Sequence, residues 1–201
     1  QETAYPYDGK IIFSCEEVEN NIPFVLQLRI PGWARKGYIR VNEEIRMVNS
    51  DMAGTYQALE ILNPSTDVVE LYLEMEIRHT VAHSLVEENS NQAAIERGPL
   101  VYCCETPDTA AETLDDLLLD LDAEFTIEEI EIEGRKIQVL SAEEYCLDRK
   151  EYDRSALYQT IEPPKFHKER VRFIPYYAWD NREYGEMRIW FPIAYDISWN
   201  R

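Results

Sequence analysis

Four groups of side chains in this sequence are of types that could do chemistry: the adjacent thiols Cys103 and Cys104, the histidines His79 and His83, a surplus of carboxylates, and the aromatics Tyr176, Tyr177, Trp179, Trp190 and Phe191. Adjacent residues of a strand point to opposite faces, so the two thiols cannot converge on one ion. Zinc asks for convergent Cys or His ligands at short spacings such as CxxC, and no such spacing is present. Glu105, next to the pair, opposes thiolate formation. One thiol packed into each layer is the expectation. On a straight strand His79 and His83 would stand ~13 Å apart, too far to share an ion. They are expected to be partly buried and hydrogen-bonded, and His167, in a loop of Lys and Glu, carries no signal.

A glycosidase pair needs two carboxyls ~5–9 Å apart across a pocket, one with a raised pKa. Linear spacing shows neither, and Glu70, Glu74 and Glu76 read as the solvated face of a strand. No catalytic residue and no metal ligand is therefore assigned. Sugar rings stack on exposed aromatic faces, which makes Tyr176, Tyr177, Trp179 and Trp190 the candidate carbohydrate-binding residues. The competing and preferred expectation is that aromatics in β strands fill a core or a domain interface.

These residues have to be positioned by strands. The period is two along Lys10–Cys15, along Phe24–Ile30 before Pro31-Gly32, along Tyr38–Asn42, and most clearly along Val68–His79, where Val69, Leu71, Leu73, Met75, Ile77 and His79 share one side. Gln92–Ile95 and Leu100–Cys104 are apolar strands around a bend at Arg97-Gly98-Pro99. Thr109–Phe125 fits either a short helix near 109–121, on the stripe Leu114, Leu117, Leu118 and Leu121 with Thr109 and Glu112 at capping-box spacing, or an extended edge. A hairpin turns near Glu133-Gly134, a loop runs from Tyr152 to Arg170, and two closing strands, Val171–Asn181 and Gly185–Tyr195, follow. The fold class is all-β: two consecutive antiparallel β-sandwich, jelly-roll-like modules, 1–104 and 105–201.

Length and charge narrow the partners. A chain of 201 residues suffices for two domains of ordinary size. Its formal charge of −19, from 39 acidic and 20 basic residues, repels phosphate backbones and anionic lipid, so neither nucleic acid nor membrane is an expected partner. No apolar run reaches the ~18 residues of a membrane span. The four cysteines are too few and too irregular for a disulfide scaffold. The chain opens on Gln1-Glu2-Thr3 without an initiator Met or signal peptide, as an excised piece of a longer, soluble protein would. Its compartment, bacterial cytoplasm or periplasm, stays open.

Three stretches, FVLQLRIPGWA, QAAIERGPLVYCCE and IPYYAWDNREYGEMRIW, in this order and spacing, resemble the C-terminal part of glycoside hydrolase family 127, whose type activity is β-L-arabinofuranosidase. The opening YPYDGKI resembles the start of the family's first sandwich. The chain departs from the family at Val41-Asn42-Glu43, usually Val-Asn-Gly, and at Leu62–Asp67, usually a Trp-x-x-Gly-Asp turn. The resemblance implies a catalytic (α/α)6 barrel followed by two β-sandwich modules, of which this sequence matches the modules alone. The family's zinc-bound cysteines and catalytic glutamate lie in the barrel, and nothing here matches their motif. What it implies is an accessory region with no cofactor of its own, with zinc belonging to the barrel. The barrel is the expected partner, together with a second copy in a homodimer. The alternative reading is a carbohydrate-binding module with a glycan as ligand.

Overall fold

The structure is a computed structural model and describes residues 1–15, 21–148, 155–160 and 164–195. It divides into two compact units, Gln1–Ile77 with Arg97–Pro99, and Arg78–Glu96 with Leu100–Arg201. Every pairing between named strands whose register is described is antiparallel, and only short 3-10 turns interrupt them, so the chain is all-β as expected.

In the first unit, β1 (Glu2–Thr3), β2 (Lys10–Phe13), β3 (Phe24–Arg29), β4 (Gly37–Val41), β5 (Glu44–Val48), β6 (Tyr56–Ile61) and β7 (Val69–Leu73) form two sheets. One has the order β1-β2-β7-β4-β5, and the other is the pair β3-β6. Alternation puts Leu28, Ile39, Ile61, Val69, Leu71 and Leu73 into a common core. The opposite side of β7 is not the solvated face expected from its glutamates. Glu70 is 5% exposed, because the register sets it across from Arg40 and Ile12. Tyr38 Oη and Arg40 Nη2 each donate to it at 2.5 Å, and Lys10 Nζ lies 3.2 Å away. Donation from Tyr38 comes first among the causes that hold the Glu70 carboxyl below its ordinary pKa.

The single strand expected over Val68–His79 is two. β7 ends at Leu73, beside the first residues of its antiparallel partners β2 and β4, and β8 (Ile77–Val81) pairs instead with β9 (Gln92–Arg97). β9 turns into β10 (Leu100–Glu105) through Gly98-Pro99. Gly98 has φ +56, the sign a type II′ hairpin requires at its first loop position, and a Cβ there would stand 2.2 Å from Met75 Sδ. By packing, β9 and β10 hydrogen-bond within the second unit, while Arg97–Pro99 group with the first.

The second unit continues with β11 (Leu117–Leu118), β12 (Thr126–Ile132), β13 (Arg135–Leu147), β14 (Phe166–Pro175), β15 (Met187–Arg188) and β16 (Phe191–Pro192). The sheet runs β11-β13-β14-β10-β9-β16, with β12 on β13, β15 on β10 and β8 on β9. Glu133 and Gly134 both take positive φ, 48° and 73°, the type I′ geometry of the expected hairpin. The helix near 109–121 is absent. Leu114–Asp116 make one 3-10 turn, then Leu117 and Leu118 pair with Cys146 and Tyr145. Burying Leu114 and Leu117 against strands outweighs their helical spacing. The spacing of a capping box is used four residues earlier, by Glu105 and Asp108 around a 3-10 turn. Of the loop expected over Tyr152–Arg170, part lies outside the described residues. Its end, Phe166–Arg170, is strand, because each of these residues pairs with β13.

Candidate functional site

Three of the four candidate aromatics stand where β14 ends. Pro175 lacks an N–H with which to extend the strand, and Tyr176–Ala178 make a 3-10 turn closed by the Trp179 N–H donating to the Tyr176 carbonyl at 3.1 Å. With three residues per turn, positions i and i+3 eclipse. Tyr176 and Trp179 consequently stack, centroids 5.8 Å apart and planes 10° from parallel. Ala178 is buried with Cys103, Ile132, Ile137, Val139 and Ile174, which anchors the turn and leaves Tyr176 43%, Tyr177 56% and Trp179 40% exposed. Of the two places expected for them, a core or a domain interface, these three residues do not occupy the core. Tyr177 points to a separate cavity of about 150 Å³ that it lines with Ile132, Glu133, Arg135, Ile137 and Asn181. Trp190 is half-buried between β15 and β16, its carbonyl accepting from Arg188 Nε at 2.7 Å, and the stack leaves it out.

A buried ionic cluster fixes the far side of the turn. Asp180 takes φ +63, and its N–H donates to Glu105 Oε1 at 3.1 Å. Asn181 Nδ2 donates to the carbonyls of Ala178 and Trp179, at 3.2 and 2.9 Å. Arg182 then reaches inward, Nε to Glu105 Oε2 at 3.0 Å and Nη1 to Asp108 Oδ1 at 2.8 Å. Donation to Asp108 and Glu105 raises the Arg182 pKa further, against burial. Sequence reading missed this cluster, since Arg182 lies 74 residues from Asp108 and 77 from Glu105. The only local signal was the Glu105–Asp108 capping box.

The thiols and histidines are placed differently from one another. Cys103 and Cys104 are both fully buried. Burial first, then the charge of Glu105, pushes the Cys103 thiol up to about 12, and burial raises Cys104 as well, so neither is a thiolate near neutral pH. His79 lies on β8, its ring 5.9 Å from that of Phe125. Burial lowers its pKa against the pull of Asp120. The hydrogen bond expected for it is not made at Nε2, which has no partner among the described residues. His83 falls beyond the strand, where its Nδ1 accepts from the Leu85 N–H at 3.2 Å and it lines a second cavity of about 340 Å³. Glu144, 1% exposed, has its pKa raised to about 8 by burial, although Oε2 accepts from the Asp120 N–H at 2.7 Å. His167 belongs to β14, not to a loop, and lies beside Cys146 and Glu169 in the one cluster with metal-ligand spacing among the described residues.

Comparison with known proteins accounts for nearly all of the chain. The family model "Beta-L-arabinofuranosidase, GH127 middle domain" matches residues 1–75, and "Glycoside hydrolase family 127 C-terminal domain" matches residues 77–192. A non-reducing end β-L-arabinofuranosidase of Bifidobacterium longum is 30% identical over 199 residues, covering 94% of this chain and 29% of that protein. A solved glycoside hydrolase superposes with a TM-score of 0.86 at 35% identity, over 97% of this chain and 32% of its own. The crystal structure of a family 127 β-L-arabinofuranosidase from Geobacillus stearothermophilus T6 gives 0.84 at 33% identity, over 96% and 30%. The chain thus spans about three tenths of the length of these relatives. With both domain matches in order and end to end, the chain belongs to glycoside hydrolase family 127, over its middle and C-terminal domains.

Proposed function

We propose that this chain is the non-catalytic β region of a β-L-arabinofuranosidase-like glycoside hydrolase, serving to support a catalytic barrel and to bring two copies together. The observation that carries this reading is the share of each relative that is matched. The middle and C-terminal domain matches together run from residue 1 to residue 192 of this chain, and about seven tenths of the arabinofuranosidase of Bifidobacterium longum lies outside the match. Of the two cavities described above, one is lined by the single carboxylate Glu133 and the other by none, so neither offers the pair that glycoside hydrolysis uses. The test is to incubate the purified chain with an aryl β-L-arabinofuranoside: no turnover above the buffer rate is expected, and sustained turnover overturns the reading. Sedimentation of a barrel-containing relative with and without this region tests the assembly role, with loss of the dimer on deletion as the expected result.

A second reading, sugar binding, is favoured by the exposed Tyr176–Trp179 stack, on a turn tied to Glu105 through the Asp180 N–H. Calorimetric titration with arabinose-containing oligosaccharides decides it. Saturable binding lost in Trp179→Ala would replace the support role with a binding one.

A further inference from the structure

β13 and β14 run antiparallel with Cys146 opposite His167 and Glu144 opposite Glu169. Residues directly opposite in such a pair share a face, as do residues two apart on one strand. The register alone therefore brings Cys146, His167 and Glu169 to one patch, and their donor atoms, a sulfur, a ring nitrogen and a carboxylate oxygen, lie within 4.8 Å of one another. His167 Nε2 and Glu169 Oε2 are 3.7 Å apart. Around a tetrahedral zinc with Zn–N and Zn–O of ~2.0–2.1 Å and Zn–S of ~2.3 Å, ligand atoms stand ~3.3–3.6 Å from one another. The observed spacing is thus within a small side-chain adjustment of a coordination shell.

The surroundings of the three donors fit the same purpose. Thr109 Oγ1 donates to Glu169 Oε1, which fixes the carboxylate by one oxygen and leaves Oε2 toward His167. Outer-shell bonds of this kind orient metal ligands. Burial is graded: Cys146 is 3% exposed, the Glu169 side chain 11% and the His167 side chain 53%. An ion here would be held from below by sulfur and capped by imidazole at the surface, with a fourth position open to water. Thiolate with imidazole selects zinc or a similarly borderline cation over magnesium or calcium.

We propose that Cys146, His167 and Glu169 form a binding site for zinc, with three protein ligands and one solvent molecule, at the end of β14 away from the aromatic turn. On binding, the Cys146 thiol gives its proton to solvent. The full chain, stripped with a chelator, is titrated with cobalt as a spectroscopic probe and with zinc against a chromophoric chelator. The expected results are one ion per chain and a thiolate-to-cobalt charge-transfer band that disappears in Cys146→Ser. Because Cys146 is buried and that variant could misfold, His167→Ala, at an exposed position, carries the test independently. It should keep the native circular dichroism and lose zinc affinity by about tenfold or more, as should Glu169→Gln, while His83→Ala changes nothing. Persistence of the band without Cys146, unchanged affinity in His167→Ala, or less than one tight ion per chain would overturn the assignment.

Discussion

Replacing Arg182 with alanine is expected to destabilise the second unit by about 3–5 kcal/mol, the cost of stranding buried charge. Glu105 and Asp108 are 4% and 5% exposed, and Arg182 supplies charged hydrogen bonds to both. Each such bond is worth ~1.5–3 kcal/mol. One response keeps the loss below their sum: Arg172 Nη1, 3.8 Å from Asp108 Oδ1, can draw closer to that carboxylate. Arg170 with Glu128 is the contrast. Their side chains are 53% and 34% exposed, and a pair so placed is worth under ~1 kcal/mol. Urea unfolding followed by tryptophan fluorescence would compare Arg182→Ala, Arg182→Lys and Arg170→Ala. The lysine variant should fall between the other two, since an ammonium keeps the charge and loses the fork. If Arg182→Ala costs no more than Arg170→Ala, the cluster does not hold the turn and the reasoning fails.

Two further outcomes follow from the first unit. The Asn42 side chain, donating at 3.0 Å, and then the Asn63 N–H hold the Asp67 carboxyl below its ordinary pKa. A depressed folded-state pKa gives stability that is present above the unfolded value and is lost as pH falls through the folded one. The melting temperature of the wild type should therefore exceed that of Asp67→Asn at pH 6, and the gap should close below about pH 4. A gap independent of pH would contradict this. Gly98→Ala meets both a positive φ and the Met75 thioether and should cost about 1–3 kcal/mol in chemical denaturation, whereas Gly134→Ala, with nothing within 4 Å of its Cβ, meets only the first. Equal losses for the two would show that Met75 moves aside freely.

What could be read in advance was the part written in local pattern. Period two located the strands, Glu133-Gly134 fixed a hairpin and Gly98-Pro99 marked a bend, because a turn depends on the two residues that make it. Val68–His79 shows the limit. Its alternation is continuous, yet the strand breaks beside the first residues of its antiparallel neighbours, and nothing in the segment records where β2 and β4 begin. The leucine stripe of 114–121 left a short helix and an extended edge equally open, and the edge is what forms, because an apolar residue at helical spacing is equally content under a sheet edge. Glu70 looked like surface until Tyr38, Arg40 and Lys10 closed over it. The aromatic candidates were found by type, but their exposure depended on Ala178 being the residue that turns inward. The Cys146–His167–Glu169 cluster was invisible because ligand spacing across a strand pair is set by register, not by sequence separation.

All four cysteines are unbridged, and Cys15 alone is on the surface. The fold described therefore takes no support from a disulfide. It also means that a covalent pair of chains on a gel run without reductant would report Cys15 and handling in air, so association of this region has to be measured with reductant present.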